Sequence, residues 1–142
     1  MNRLSLAVLA LVLLGGTPAL AQQSEEAAVR EAIEHYFRGQ ATGQGEHFRK
    51  VFHADAKLFF IRDGKVTQWT AEEYISRASG KPADDEAQRK RAIDSVDISG
   101  NAAFVKLTLD YPKVVFTDYM SMLKVDGRWV IVNKTFHAKP RT

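Results

Sequence analysis

VVFTDYMSMLKVDGRWVIVNKTFH, Val114 to His137, decides the fold. Two long apolar segments flank Asp126-Gly127, a dipeptide that tolerates the positive φ angles of a tight hairpin loop. The flanks are rich in β-branched and aromatic residues and predict strands Lys113–Val125 and Arg128–His137. Strands this long exceed the usual length and bend strongly within a sheet. One residue is out of place. Asp118 sits in the middle of an apolar strand, where a carboxylate without a partner is costly. A structural ion pair, a solvated position or a working group in a pocket would each account for it.

Working outward, strand Ala92–Ser99, turn Gly100-Asn101 and strand Ala102–Tyr111 form a second hairpin, closed by Pro112. AKLFFI and KVTQW, Ala56 to Trp69, form a third around Asp63-Gly64. Thr70-Ala71-Glu72-Glu73 is a capping box, in which Thr70 and Glu73 satisfy each other's free amides. It opens a helix through Tyr74, Ile75 and Ala78, stopped by Gly80-Lys81-Pro82. Lys81 to Lys90 reads as a loop or the frayed start of a strand. Near the front, Val29, Ile33, Tyr36 and Phe37 recur at helical spacing after Glu25 and Glu26, and Gly39 and Gly43 end the run. A shorter helix fits Glu46 to Phe52, with Phe48, Val51 and Phe52 on one face. Three helices gathered before a meander of long strands predict an α+β domain. The helices pack on one face of a strongly curved, mostly antiparallel sheet, leaving a cone with a central pocket.

The first 21 residues read differently. Met1-Asn2-Arg3 carries one positive charge, Leu4 to Gly16 is nearly all apolar, and Ala19-Leu20-Ala21 is a small-x-small cleavage pattern. This is the pattern of a secretory signal peptide cut after Ala21, too short in its apolar core for a membrane span. Residues 22–142 then form a single domain of a periplasmic or secreted protein, with no membrane contact after cleavage. The chain has no cysteine, so neither a lipobox thiol nor a disulfide is available. A net charge of +3 favours neither nucleic acid nor anionic membrane as a partner. The one basic run, Arg89-Lys90-Arg91, follows Asp84-Asp85-Glu86 and compensates it.

The element order resembles the NTF2-like fold, shared by nuclear transport factor 2, ketosteroid isomerases, scytalone dehydratase and polyketide cyclases. FHADAKLFFI (residues 52–61) and FTDYMSMLKVDGRWVIVNKTFH (residues 116–137) are similar to its "putative lumazine-binding" or SnoaL-like branch, over about residues 25–138. The resemblance implies the cone and its pocket, and often a homodimer through the outer face of the sheet. It does not imply one activity.

A uniform two-residue loop at Asp126-Gly127 sets Phe116, Asp118, Met120 and Met122 opposite His137, Thr135, Asn133 and Ile131. The reverse face then pairs Tyr119 with Lys134. The same arithmetic at Gly100-Asn101 sets Asp94, Val96 and Ile98 opposite Leu107, Val105 and Ala103. We take the Asp118 face as the inner one, because it mixes apolar bulk with a few convergent polar groups. Asp118 and His137, one diagonal step apart, form a candidate acid–base pair. In the plainer alternative His137 is solvated and Asp118 only bonds Thr135 and Asn133.

Tyr36 and Asp94 are further pocket candidates. By analogy with steroid isomerases a sheet carboxylate serves as base and a tyrosine as oxyanion donor, although no motif matches those enzymes. With no motif to carry those roles, a core tyrosine and a strand-edge aspartate are the preferred reading. Trp69 and Tyr74 flank the third helix and could stack on a flat ligand. Phe116, Met120, Ile131, Asn133 and Thr135 complete the predicted lining. His53 and Asp55 read as turn residues, and His35 and His47 as solvated. No metal-ligand spacing, phosphate loop, dinucleotide fingerprint or nucleophile elbow is present, so neither metal nor cofactor is expected. Three functions stay open: an exported binder of a small, flat or apolar molecule, a cofactor-independent lyase or isomerase using Asp118 and His137, and a dimeric interaction module.

Overall fold

A computed structural model describes residues 18–142. The leader expected over residues 1–21 lies, up to residue 17, outside the described residues. Helix α1 (Pro18–Thr42) is followed by α2 (Gly45–Val51), β1 (Phe52–Arg62), β2 (Lys65–Thr70) and α3 (Ala71–Ile75). After a 3-10 turn at Glu86–Gln88 come β3 (Lys90–Ser99), β4 (Ala102–Tyr111), β5 (Val114–Val125) and β6 (Arg128–Pro140). The six strands form one sheet in the order β2-β1-β6-β5-β4-β3. Only the β1–β6 pair is parallel. The three helices lie on one face of this curved, unclosed sheet, so the expected α+β cone is the observed architecture.

Local chemistry explains the boundaries. Asp126 and Gly127 take φ of 49° and 76°, the left-handed conformation that the tight turn requires. The Thr70 hydroxyl accepts from the Glu73 amide at 3.1 Å, while the Glu73 carboxylate accepts from the Thr70 amide at 2.6 Å. Gly43 ends α1 at φ 67°, packed so closely that a Cβ there would lie 2.1 Å from the Lys81 carbonyl oxygen. The start of α1 is tied to the last hairpin, because the Glu25 carboxylate accepts from Lys124 Nζ at 2.6 Å and from Trp129 Nε1 at 3.0 Å.

Between helices and sheet sits the core. Val29, Ile33 and Tyr36 of α1 and Val51 of α2 meet Leu58, Leu107, Met120, Met122 and Ile131 of the strands, all fully buried. Each such aliphatic side chain contributes about 1.5–3 kcal/mol through burial. Among the described residues no helix is long and apolar enough to cross a membrane.

Two bulges correct the uniform registers expected from the hairpin loops. Met122 pairs with Ile131, but Ser121 pairs with Asn133, so Val132 is an extra residue in β6. Beyond it every β6 side chain changes face relative to β5. Tyr119 lies opposite Thr135 and Thr117 opposite His137, whereas Met120 lies opposite Lys134 and Asp118 opposite Phe136. The β1 strand loses its own register at the same level: His53 to Ala56 lie between its pairings at Phe52 and Lys57. In β3, Ser95 still pairs with Lys106 but Ile93 pairs with Leu107, leaving Asp94 as the bulged residue. Ile93 thereby takes the inner position expected for Asp94.

Candidate functional site

The concave side of the sheet encloses a cavity of about 880 Å³ that opens to solvent. Its walls are aromatic: Phe60, Trp69, Tyr74, Tyr111, Phe116 and Phe136 all line it. Phe60 and Phe136 stack with ring centres 4.8 Å apart, and Phe60 packs against Trp69 at 4.6 Å. Cavities of this size and lining commonly hold small organic molecules.

The question posed by Asp118 is answered beneath this cavity. Asp118 is completely buried, and its Oδ2 lies 2.9 Å from Lys134 Nζ, itself buried. Tyr36 binds both: its hydroxyl donates to Asp118 Oδ2 at 2.7 Å and accepts from Lys134 Nζ at 2.6 Å. The bulge at Val132 makes the pair possible, since without it Lys134 would lie on the opposite face of the sheet. Asp118 Oδ1 is buried without a hydrogen-bond partner among the described residues.

Electrostatics favour the protonated forms of Lys134 and Tyr36. Burial alone would push the Lys134 ammonium towards neutrality, but the Asp118 carboxylate overrides it and holds lysine above its ordinary pKa. Burial, and then the charge of Asp118, push the Tyr36 phenol well above its ordinary value. Lys134 Nζ also sits 4.7 Å from the centre of the Phe136 ring, 5.0 Å from Tyr36 and 5.4 Å from Tyr74. Aromatic faces at these distances add a cation–π attraction.

Gln40 extends the network towards the opening. Its Nε2 donates to Tyr36 Oη at 3.0 Å and to Tyr74 Oη at 2.6 Å. Arg91 donates to Tyr111 Oη at 3.1 Å and is itself held by Glu86 through two bonds of 2.6 and 2.8 Å. Of the three buried partners only Lys134 borders the cavity. An ammonium has three N–H donors. Tyr36 and Asp118 engage two, which leaves one for whatever occupies the cavity. A charged donor fixed in a water-poor, aromatic setting can hold a ligand oxygen and stabilise negative charge developing on it.

The sequence-predicted residues separate into three groups. Tyr36 and Asp118 meet in the buried network, and Trp69, Tyr74 and Phe116 line the cavity. Met120 and Ile131 lie on the inner face but are packed into the core and do not reach the opening. Asn133, Thr135 and His137 change face as a consequence of the bulge, opposite Ser121, Tyr119 and Thr117, and of the three only His137 still lines the cavity, at its edge. His137 is exposed at the cavity edge and makes no ion pair with Asp118, so the expected Asp118–His137 pair does not form. Asp94 is exposed, and its Oδ2 accepts from the Thr108 hydroxyl at 2.8 Å. His35 and His47 are not simply solvated, because their rings stack with centres 6.5 Å apart and their Nδ1 atoms are buried.

Sequence reasoning missed Lys134, Gln40, Tyr111 and Phe136. The available signal was charge. A buried acid needs a base, and Lys134 is the one cation in the middle of β6.

A family model described as "Putative lumazine-binding" matches residues 24–137. An NTF2-like protein of unknown function from Shewanella baltica has a solved structure 28% identical to the chain. It superposes with a TM-score of 0.76, covering 84% of this chain and 97% of that one. A similar protein from Methylobacillus flagellatus, also 28% identical, gives a TM-score of 0.70 and covers 82% and 93%. The curated protein Aldolase FrzH from Cladobotryum is 27% identical over 121 residues, covering 83% of this chain and 94% of that one.

Proposed function

The chain belongs to the family described as "Putative lumazine-binding", within the NTF2-like superfamily, and from that premise we propose that it binds a small, flat molecule. One carbonyl-type oxygen of that molecule is held by the Lys134 ammonium. The observation that carries the reading is the position of Lys134: buried, kept charged by Asp118, and the one of the three buried partners that borders the aromatic cavity. Aromatic faces suit a planar body, and a charged N–H suits an oxygen acceptor. Lumazine, a flat bicyclic dione, has this shape and oxygen chemistry, though the reading asks for the class and not for that compound. The test is a native mass spectrum of the purified protein, followed by thermal melts against a panel of flat carbonyl compounds. A bound molecule, or a melting temperature that rises as RT ln(1 + [L]/Kd), supports it. An empty spectrum together with unmoved melts refutes it.

A second reading rests on the likeness to a protein named an aldolase. In it the same Lys134 N–H stabilises the enolate oxygen formed when a β-hydroxy carbonyl compound cleaves between its α and β carbons, the β carbon leaving as an aldehyde or ketone and the hydroxyl proton passing to solvent water. Lys134, in place of His137, is then the partner of Asp118. It acts as an ammonium ion and not as a Schiff-base amine, because Asp118 holds it protonated. Borohydride added during turnover would accordingly trap no lysine adduct, and a trapped adduct at Lys134 would overturn this assignment.

Two further parts of the reading concern setting. The leader-like first 21 residues support export, checked by the N-terminus of the mature protein. The outer sheet face exposes Phe104, Tyr119, Leu123 and Val125, with the Phe104 and Tyr119 rings stacked at 5.8 Å, and supports a homodimer. Sedimentation of Tyr119→Asp, expected to be monomeric, checks that.

A further inference from the structure

We infer that the ligand is a planar acid, whose carboxylate or similar anionic group is received by Arg62 at the mouth of the cavity. The inference rests on the binding reading above and adds the charge and orientation of what binds. Among the described residues no acidic side chain lines the cavity, whereas Arg62, Arg89 and Lys134 all do. Two of these cations are already neutralised. Lys134 is paired with Asp118, and Arg89 Nε donates to Asp85 Oδ1 at 2.7 Å. Arg62 forms no ion pair among the described residues.

Arg62 is not a loosely tethered side chain either. Its guanidinium carbon lies 5.2 Å from the centre of the Phe60 ring and 5.4 Å from Trp69. Arg77 approaches the same indole at 4.1 Å, so two cations converge on Trp69. From Arg62 a continuous strip leads inwards: Phe60, then Phe136 stacked on it, then Lys134 beneath Phe136. The strip is two rings long and has a cation at each end. The inner cation is compensated and therefore suits a neutral oxygen, while the outer one is uncompensated and suits an anion. A molecule stacked along the strip meets both.

A matched pair of fluorescent probes separates this inference from the reading under it. Anilinonaphthalene sulfonate and phenyl-naphthylamine share one aromatic body and differ by the anionic group. Energy transfer from Trp69, weakened in Trp69→Phe, reports that a probe is inside the cavity. The sulfonate is expected to bind more tightly than the neutral probe. Arg62→Gln should weaken the sulfonate about tenfold, the effect of losing one charge-assisted contact, and leave the neutral probe unchanged. Lys65→Gln, on the same hairpin and directly opposite Arg62, should leave both probes unchanged, which excludes a general effect of surface charge. Equal affinity for the two probes, or an equal response of both to Arg62→Gln, overturns the inference while sparing the cavity. Failure of both probes to show energy transfer refutes the cavity reading, and the inference falls with it.

Discussion

Replacing Lys134 by methionine removes the single cation that faces Asp118, and its cost follows from burial. Asp118 is fully buried and keeps only the Tyr36 hydroxyl once the ammonium is gone. Removing one member of a buried ion pair typically costs about 3–5 kcal/mol, because the remaining charge is left uncompensated. The retained Tyr36 bond places Lys134→Met near the lower end of that range. Asp118→Leu leaves the ammonium with one phenol oxygen and three ring faces, and belongs in the upper half. For a domain of this size each kcal/mol moves the melting temperature by about 4 °C, so the single variants should melt about 12–20 °C lower. The double variant Asp118→Leu/Lys134→Met has no buried charge to strand. It should recover most of the loss and lie within about 2 kcal/mol of the parent protein, which against singles that sum to about 7–8 kcal/mol is a coupling energy on the order of 5 kcal/mol. Urea titration followed by tryptophan fluorescence reads all four proteins. Trp129 is a suitable reporter because it is buried in the core. Singles that each cost under about 1 kcal/mol, as at solvent-exposed pairs, or a double variant equal to their sum, would refute the account.

Alkali should act on the same network. Tyr36 and Lys134 both bind their protons more tightly folded than unfolded. Their contribution to stability is therefore complete below about pH 10 and drains away as the pH rises past the ordinary tyrosine and lysine values. The urea midpoint should hold up to about pH 10 and fall above it, and fall less in Tyr36→Phe; an equal fall in both proteins would count against it. Gly43→Ala should cost more than about 2 kcal/mol in the same titration, since positive φ is compounded by a 2.1 Å approach to the Lys81 carbonyl. Gly64→Ala has φ 73° but nothing within 4 Å, and should cost only the backbone term of about 1 kcal/mol. Similar losses in the two variants would show that the contact with Lys81 is unimportant.

Most of the fold was legible because its signals are local. The turn at Asp126-Gly127, the capping box at Thr70 and the alternation along β4 each act within a few residues. The strand predicted over Ala102–Tyr111 coincides with β4. The helical spacing of Val29, Ile33 and Tyr36 likewise marks the buried face of α1. The parallel β1–β6 contact was beyond such reasoning, because two segments some seventy residues apart meet through packing and not through any turn. The polar stretch before β3 hides a short 3-10 turn whose Glu86 holds Arg91. That contact too is tertiary.

The site was legible only up to a single residue. Hairpin arithmetic assumes an uninterrupted ladder, and the assumption holds from the loop to Ile131. Trp129-Val130-Ile131-Val132 is apolar throughout, so it carries no alternation that could reveal the slip. The phase becomes visible again only in Lys134 and Phe136, which are inward in the structure and outward without the bulge. Electrostatics could have decided between the two. With a uniform ladder Asp118 faces Thr135 and has no cation near it, a burial that costs several kcal/mol. With one extra residue the lysine arrives within 2.9 Å. The insertion of Val132 thus exchanges an Asn-Thr-His face for a Lys-Phe face on the cavity side. What faces Asp118 follows from that exchange: the His137 imidazole stays at the cavity edge, and the Lys134 ammonium, compensated by Asp118, stands on the cavity wall.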